Sequence, residues 1–354
     1  MVRVLPVARK LLWASLALAP ATILIDLLAH PVKVALFVLA AASLVPLAWL
    51  IGESTEHAAE HTGPGIGGFL NASFGNAPEL IIALFAIADG LPNVVRGSLA
   101  GSIVSNLLLV LGVAIVFGGD VVRLDRHSLM LQLGLVATAV VLFLIPSVPG
   151  FHGDADRHTL VVLSIPVAVV LLLLYVGITV RNLRQHRRAH RADESEAGMG
   201  WTLRTSLGVL AVATGVTAVI SEILVHSLDA FAKAAGLSQF FIAAVIVAIV
   251  GNAAEHGGAV VIAHRGKMKL ATEIAVSSSA QVGLFVVPAV MLLSLFFPHA
   301  LPLSFRPVEL GAMAGATALV AIVLWDARSK RWEGYLLVGA YALAAAGFFA
   351  AGDR

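Results

Sequence analysis

Eleven long apolar stretches divide the chain, near residues 11–28, 31–52, 66–89, 93–118, 128–149, 158–181, 202–232, 239–264, 269–297, 306–325 and 331–350. About 20 apolar residues, each rising about 1.5 Å, cross a hydrocarbon core of about 30 Å. No water reaches that core, so each stretch must satisfy its own backbone hydrogen bonds, as a helix does. The pattern predicts an all-α polytopic membrane protein with about eleven transmembrane helices. Composition excludes a soluble fold: 59% of residues are apolar and 12% charged, where a soluble surface needs about 25% charged. The first stretch contains Ala17-Leu18-Ala19, but Pro20 follows and the apolar run continues to Ala29. It therefore reads as a retained helix and not as a cleaved signal.

The basic residues sort by membrane side. With the N-terminus inside, 17 of the 23 Lys and Arg fall on the cytoplasmic side and six outside, as the positive-inside rule requires. A C-terminus outside and an odd number of helices follow. A net charge of +2 distributed this way gives no reason to expect nucleic-acid binding. The chain has no cysteine, so disulfides and thiolate metal sites are excluded. With no extramembrane domain to carry catalysis, an enzyme is not expected.

The longest polar stretch, about 182–201, separates two halves and reads as a solvated cytoplasmic linker. Offsetting the halves by 176 aligns Gly75-Asn76-Ala77-Pro78-Glu79 with Gly251-Asn252-Ala253-Ala254-Glu255, and Ser102 with Ser278, giving nine identities across positions 75–110. Polar identities weigh most, because polar residues inside apolar helices are expensive. Glu79 lies in the third helix, running outward, and Glu255 in the eighth, running inward. The halves therefore read as inverted repeats, an arrangement of secondary transporters that binds substrate near the midplane.

An ionised carboxylate at such depth costs several kcal/mol unless paired, solvated or metal-bound. No Lys or Arg shares either helix interior, so Glu79 and Glu255 read as a cation and proton site. Asn76 and Asn252 precede them by three residues and share their helical faces. Gly75, Gly251 and Pro78 predict broken helices whose freed carbonyls point at an ion. An all-oxygen set, with Glu79, Glu255, Asn76 and Asn252 as the metal ligands, suits a hard cation such as Ca²⁺. Ser102, Asn106, Ser278 and Gln281 add polar groups from the following helices. His256 stands as a possible proton relay or an interhelical hydrogen-bond partner. At the cytoplasmic end of the second helix, Glu53, Glu56, His57, Glu60 and His61 form an acidic-imidazole face if the helix continues past the membrane. That face reads either as a cation-gathering or regulatory cluster or as a plain solvated helix end.

The stretch Gly67-Gly68-Phe69-Leu70-Asn71-Ala72-Ser73-Phe74-Gly75-Asn76-Ala77-Pro78-Glu79, continued by Gly97–Asn106, resembles the first signature repeat of the calcium/proton exchanger family. Gly251–His256 and Ser277-Ser278-Ser279-Ala280-Gln281 resemble the second. Ser73 and Ser279 stand where many members of that family carry threonine. The resemblance implies an extra N-terminal helix (1–30), a first five-helix repeat (31–181), the linker (182–201) and an inverted second repeat (202–354). It also implies export of cytoplasmic Ca²⁺ in exchange for H⁺ by alternating access, with Ca²⁺ and H⁺ as cargo and no cofactor. Sodium coupling, or another monovalent or divalent cation, is the alternative on the same scaffold; the neutral amides favour protons. A cation channel is the reading from a different class, which buried carboxylates in matched halves fit less well. A prokaryotic plasma membrane is the expected location.

Overall fold

The apolar stretches form helices close to the positions their hydropathy predicts. The computed structural model describes residues 6–29, 32–119, 122–152, 157–189 and 201–353. The helices are α1 (Pro6–Ser15), α2 (Leu18–Ala29), α3 (Lys33–Gly75), α4 (Ala77–Ala88), α5 (Pro92–Val104), α6 (Leu111–Gly118), α7 (Arg126–Ser147) and α8 (Arg157–Ala189). They continue with α9 (Leu203–Ala235), α10 (Gln239–Ile242), α11 (Ala248–Gly251), α12 (Ala253–His264), α13 (Met268–Gln281), α14 (Val287–Ser294), α15 (Pro307–Val323) and α16 (Arg331–Ala351). Short π-helical segments, Ser105–Val110, Ala243–Val247 and Val282–Val286, join α5 to α6, α10 to α11 and α13 to α14. Two short strands, β1 (Val122–Arg123) and β2 (Arg328–Ser329), pair antiparallel. Among the described residues, eight helices are long and apolar enough to cross a membrane, and nine if the bent α10–α12 pair is one span; α4 and α15 are shorter apolar helices.

Three boundaries differ from the hydropathy pattern. The first span is interrupted between α1 and α2, because Pro20 has no N–H to offer the Leu16 carbonyl; Ala19 N takes that oxygen instead, at 3.3 Å. The second stretch and the first part of the third are one helical run, α3, whose 43 residues would rise about 65 Å if straight. That is twice the hydrocarbon core, and the contacts show the chain turning back. Phe37 stacks on Phe231 late in α9, His61 bonds the Trp201 carbonyl just before α9 begins, and Asp89 pairs with His226, again late in α9. The course therefore reverses between His61 and Asp89, a stretch that contains Gly63-Pro64-Gly65. At the expected linker, α8 continues as helix to Ala189, while the Thr202 hydroxyl caps α9 by accepting from Thr205 N at 3.2 Å. Residues 190–200, with Asp193, Glu194 and Glu196, lie outside the described residues.

Burial ranks the helices. In the most apolar window of α5–α6, 83% of residues are buried, against 22% for α8 and for α16. Leu173, Ile322 and Leu343 are large apolar side chains left exposed on outer helices, as lipid contact requires. The polar ends sort into two sets. On one face Arg9 meets Glu53 at 3.0 Å, Lys269 meets Asp125 at 3.3 Å, Arg126 stacks over Trp325, and β1 pairs with β2. On the other, Arg96 donates to Ser304 O at 2.8 Å, Arg157 to Ala300 O at 3.2 Å and Arg306 to Gly352 O at 2.9 Å, while Asp353 accepts from Phe240 N at 2.8 Å.

Positions 176 apart share backbone geometry. Asn76 has φ −96° and ψ 14°, and Asn252 has φ −95° and ψ 12°. Gly90 and Gly266 end the following helices at φ +69° and +77°, a left-handed conformation that glycine adopts without steric cost.

Candidate ion-binding site

Each predicted break is real, and each falls on the asparagine. Asn76 interrupts α3 and α4, and Asn252 interrupts α11 and α12, the latter pair bending by 59°. Pro78 removes a backbone donor in the first break, but Ala254 stands in its place in the second, so proline is not what the breaks share. What they share is the Gly-Asn pair ahead of a new helical start. Glu79 and Glu255 therefore sit in the first turns of α4 and α12, where the helix dipole favours a negative charge by about 0.3–1 kcal/mol.

The two halves interlock here. A Cβ on Gly75 would stand 3.7 Å from Glu255 Oε1, and one on Gly251 would stand 3.3 Å from Glu79 Cγ. Each carboxylate thus lies against the glycine that precedes the other break. Glu79, Asn76 and Asn252 are buried, while Glu255, His256 and Gln281 are partly exposed. The amide nitrogens are used inside the protein: Asn252 Nδ2 donates to Ser102 Oγ at 2.8 Å and to Ala248 O at 3.0 Å, and Asn76 Nδ2 donates to Gln281 Oε1 at 3.0 Å. Asn252 Oδ1 and Glu79 Oε2 are buried oxygens that accept no hydrogen bond. Buried oxygens without donors are costly unless a cation or a proton satisfies them. Asn106 donates to Ser278 Oγ at 3.0 Å, Ser278 donates to Glu255 Oε2, and His256 Nε2 lies 3.0 Å from Asn106 Oδ1.

All of the expected midplane residues converge: Glu79, Glu255, Asn76, Asn252, Ser102, Asn106, Ser278, Gln281 and His256. Gln281 and Ser102 enter as acceptors that orient the asparagines. Ser98, Ser105 and Ser277 bond back to carbonyls of their own helices and so stabilise packing. Among the described residues no three His, Asp or Glu side chains are grouped to hold a metal, so a cation here needs amide, hydroxyl or carbonyl oxygens besides the two carboxylates. Such an all-oxygen set fits a hard cation.

The helix carrying Glu53, Glu56, His57, Glu60 and His61 does continue past the apolar stretch; His57 joins Glu53 and Glu60, while His61 turns to the Trp201 carbonyl. His57 lies 3.8 Å from Glu53 and 3.3 Å from Glu60, and its ring packs 5.0 Å from that of Trp201. Two other buried carboxylates, Glu309 and Glu333, bond the backbone N–H of Arg306 and Lys330 and so cap helix starts. Gly101 lies within the first signature stretch, which gave it no role of its own: a Cβ there would lie 2.0 Å from Ala244 O, so glycine alone lets α5 touch the backbone of the broken span. Its signal is the Gly97-x-x-x-Gly101 spacing, which marks close helix approach in membranes.

Broken helices meeting at two paired carboxylates inside a helical membrane protein define an ion transporter. The chain matches the sodium/calcium exchanger protein family over residues 32–184 and 205–350, and it belongs to that family. It is 40% identical to the Ca(2+)/H(+) antiporter ChaA of Bacillus subtilis over 331 residues, covering 91% of this chain and 94% of that one. It is 34% identical over 347 residues to a Ca(2+)/H(+) antiporter of Aphanothece halophytica, covering 90% and 91%. Among solved structures, native YfkE superposes with a TM-score of 0.82 at 37% identity, over 96% of this chain and 99% of that one. The H+/Ca2+ exchanger CAX, at 16% identity and TM-score 0.71 over 97% and 92%, shares the fold.

Proposed function

We propose that the protein is a secondary active antiporter that exports cytoplasmic Ca²⁺ in exchange for H⁺. One observation carries the reading: Glu79 and Glu255 head two broken helices, each packed against the opposite half's glycine. Two carboxylates so placed need a compensating charge, which one divalent cation or protons can supply. An empty, doubly ionised site is too costly to reorient, so the loads exchange. Glu79, Glu255, Asn76 and Asn252 bind the cation, with Ser102, Asn106, Ser278 and Gln281 holding them in place.

The proposed organisation is an extra helix (1–30), two inverted five-helix repeats (31–181 and 202–354) and a linker (182–201), eleven spans in all. The matched geometry at Asn76 and Asn252 and at Gly90 and Gly266 supports it. The positive-inside distribution supports a cytoplasmic N-terminus in a prokaryotic plasma membrane. The test is reconstitution in proteoliposomes under an imposed pH gradient, with and without sodium. Ca²⁺ uptake driven by the proton gradient and indifferent to sodium is expected; uptake that requires a sodium gradient, or channel-like flux that dissipates without counter-transport, would overturn it.

A further inference from the structure

Glu79 and Glu255 occupy matched positions, yet only Glu255 has a hydrogen-bonded escort. Ser278 donates to Glu255 Oε2, Asn106 Nδ2 donates to Ser278 Oγ at 3.0 Å, and Asn106 Oδ1 lies 3.0 Å from His256 Nε2. His256 follows Glu255 directly, so the four side chains close a ring across α12, the π-helical segment after α5, and α13. With Glu255 ionised and therefore only an acceptor, the donor directions in that ring follow from valence. Asn106 is fully buried and its nitrogen already donates to Ser278, so its oxygen faces His256 and requires a donor there. The neutral imidazole supplies it when Nε2 carries the hydrogen. Because the Ser278 oxygen accepts from Asn106, its own hydrogen points at Glu255. With Oε2 engaged, Oε1 is the oxygen turned toward Gly75 and the first half.

The first half has no such ring. Leu80 stands where His256 would be, and Val282 stands where the offset places the counterpart of Asn106. Glu79 Oε2 correspondingly accepts no hydrogen bond.

We infer that His256 is a positioning residue: through Asn106 it fixes the direction of the Ser278 hydroxyl and so presents Glu255 Oε1 to the cation. Without the imidazole, the Asn106 amide rotates and offers its oxygen to Ser278, whose hydrogen then leaves Glu255. The inference rests on the Ca²⁺/H⁺ exchange proposed above.

The experiment measures Ca²⁺-dependent proton flux against Ca²⁺ concentration in proteoliposomes of wild type, His256→Leu and His256→Gln. Leucine is the residue of the first half and removes the donor; glutamine keeps an N–H of similar reach. His256→Leu is expected to raise half-saturating Ca²⁺ about tenfold, equivalent to ~1.4 kcal/mol, with the maximal rate within about twofold. His256→Gln is expected to recover most of that loss, and His256→Leu added to Ser278→Ala is expected to cost little more than Ser278→Ala alone. A mere folding role would lower maximal rate and thermal stability without rescue by glutamine. Wild-type half-saturation in His256→Leu, no rescue by His256→Gln, or fully additive penalties would overturn the inference. If wild type carries no Ca²⁺-driven proton flux, the exchange reading fails instead, and the same order among variants is read from the Ca²⁺-induced rise in unfolding temperature of the detergent-solubilised protein.

Discussion

Gly251 lies so close to Glu79 that a methyl group at position 251 would stand 3.3 Å from the glutamate Cγ. The mirror contact is looser, with 3.7 Å between a Cβ on Gly75 and Glu255 Oε1. Gly251→Ala therefore has to displace Glu79, whereas Gly75→Ala meets an ordinary van der Waals contact. Transport assays on the two single variants should show a several-fold loss for Gly251→Ala and a clearly smaller one for Gly75→Ala. Equal effects would mean that the carboxylates are not held by these contacts.

Replacing either carboxylate with its amide removes a charge that the paired site needs. Glu79→Gln and Glu255→Gln should each lower Ca²⁺-driven proton flux by more than the about 10–100-fold that losing a supporting partner costs. Flux assays on purified, correctly folded variants check this. Full transport by both single variants would rule out the shared site.

Gly101 has no space for a side chain, since a Cβ would lie 2.0 Å from Ala244 O. Gly101→Ala should cost about 1–3 kcal/mol through overpacking, seen as a lower unfolding temperature in detergent. Gly208 in α9 faces open space, with nothing within 4 Å of where a Cβ would stand. Gly208→Ala should be neutral or stabilising by about 0.5–1 kcal/mol.

Asp125, outside the spans, accepts from Ser128 N at the start of α7 and pairs with Lys269. The Ser128 bond first, then Lys269, holds its carboxyl below the ordinary aspartate range. A lowered folded-state pKa gives stability that is present above the unfolded value and lost as pH falls through the folded one. Asp125→Ala should therefore lower the unfolding temperature at pH 7, and its difference from wild type should shrink below about pH 4. A difference that persists unchanged in acid would assign the effect to packing.

Much of this was legible in residue order because membrane insertion is a local rule. An apolar run must become a helix whatever it touches, so the ends of α5–α6, α9 and α16 fall near their predicted places. The two carboxylates stood out for the same reason, since a charge inside such a run has no bland explanation. Apart from the pairing that the repeat offset revealed, relationships set by contacts between distant segments were not legible. The separate second and third stretches announce a reversal near His61, but not that both runs lie along α9, which shows only in Phe37 against Phe231 and Asp89 against His226. Motif reading likewise suggested Pro78 as a cause of helix breaking, whereas Asn252 breaks its helix with the same dihedral angles and no proline. The ring from His256 to Glu255 passes through Asn106, 150 residues from His256, and no spacing rule reaches that far.

The pairing of β1 with β2 takes one strand from the stretch after α6 and one from the stretch before α16. Leu124 N to Ala327 O at 2.8 Å lengthens the ladder, and Arg126 over Trp325 covers it. In mechanical terms this is a rivet, placed at one face and joining connections on either side of the central polar stretch. Sliding one half bodily past the other would shear those bonds on every turnover. Tilting the helices that carry Glu79 and Glu255 inside a frame held by the ladder leaves them intact, and that is the motion the joint permits.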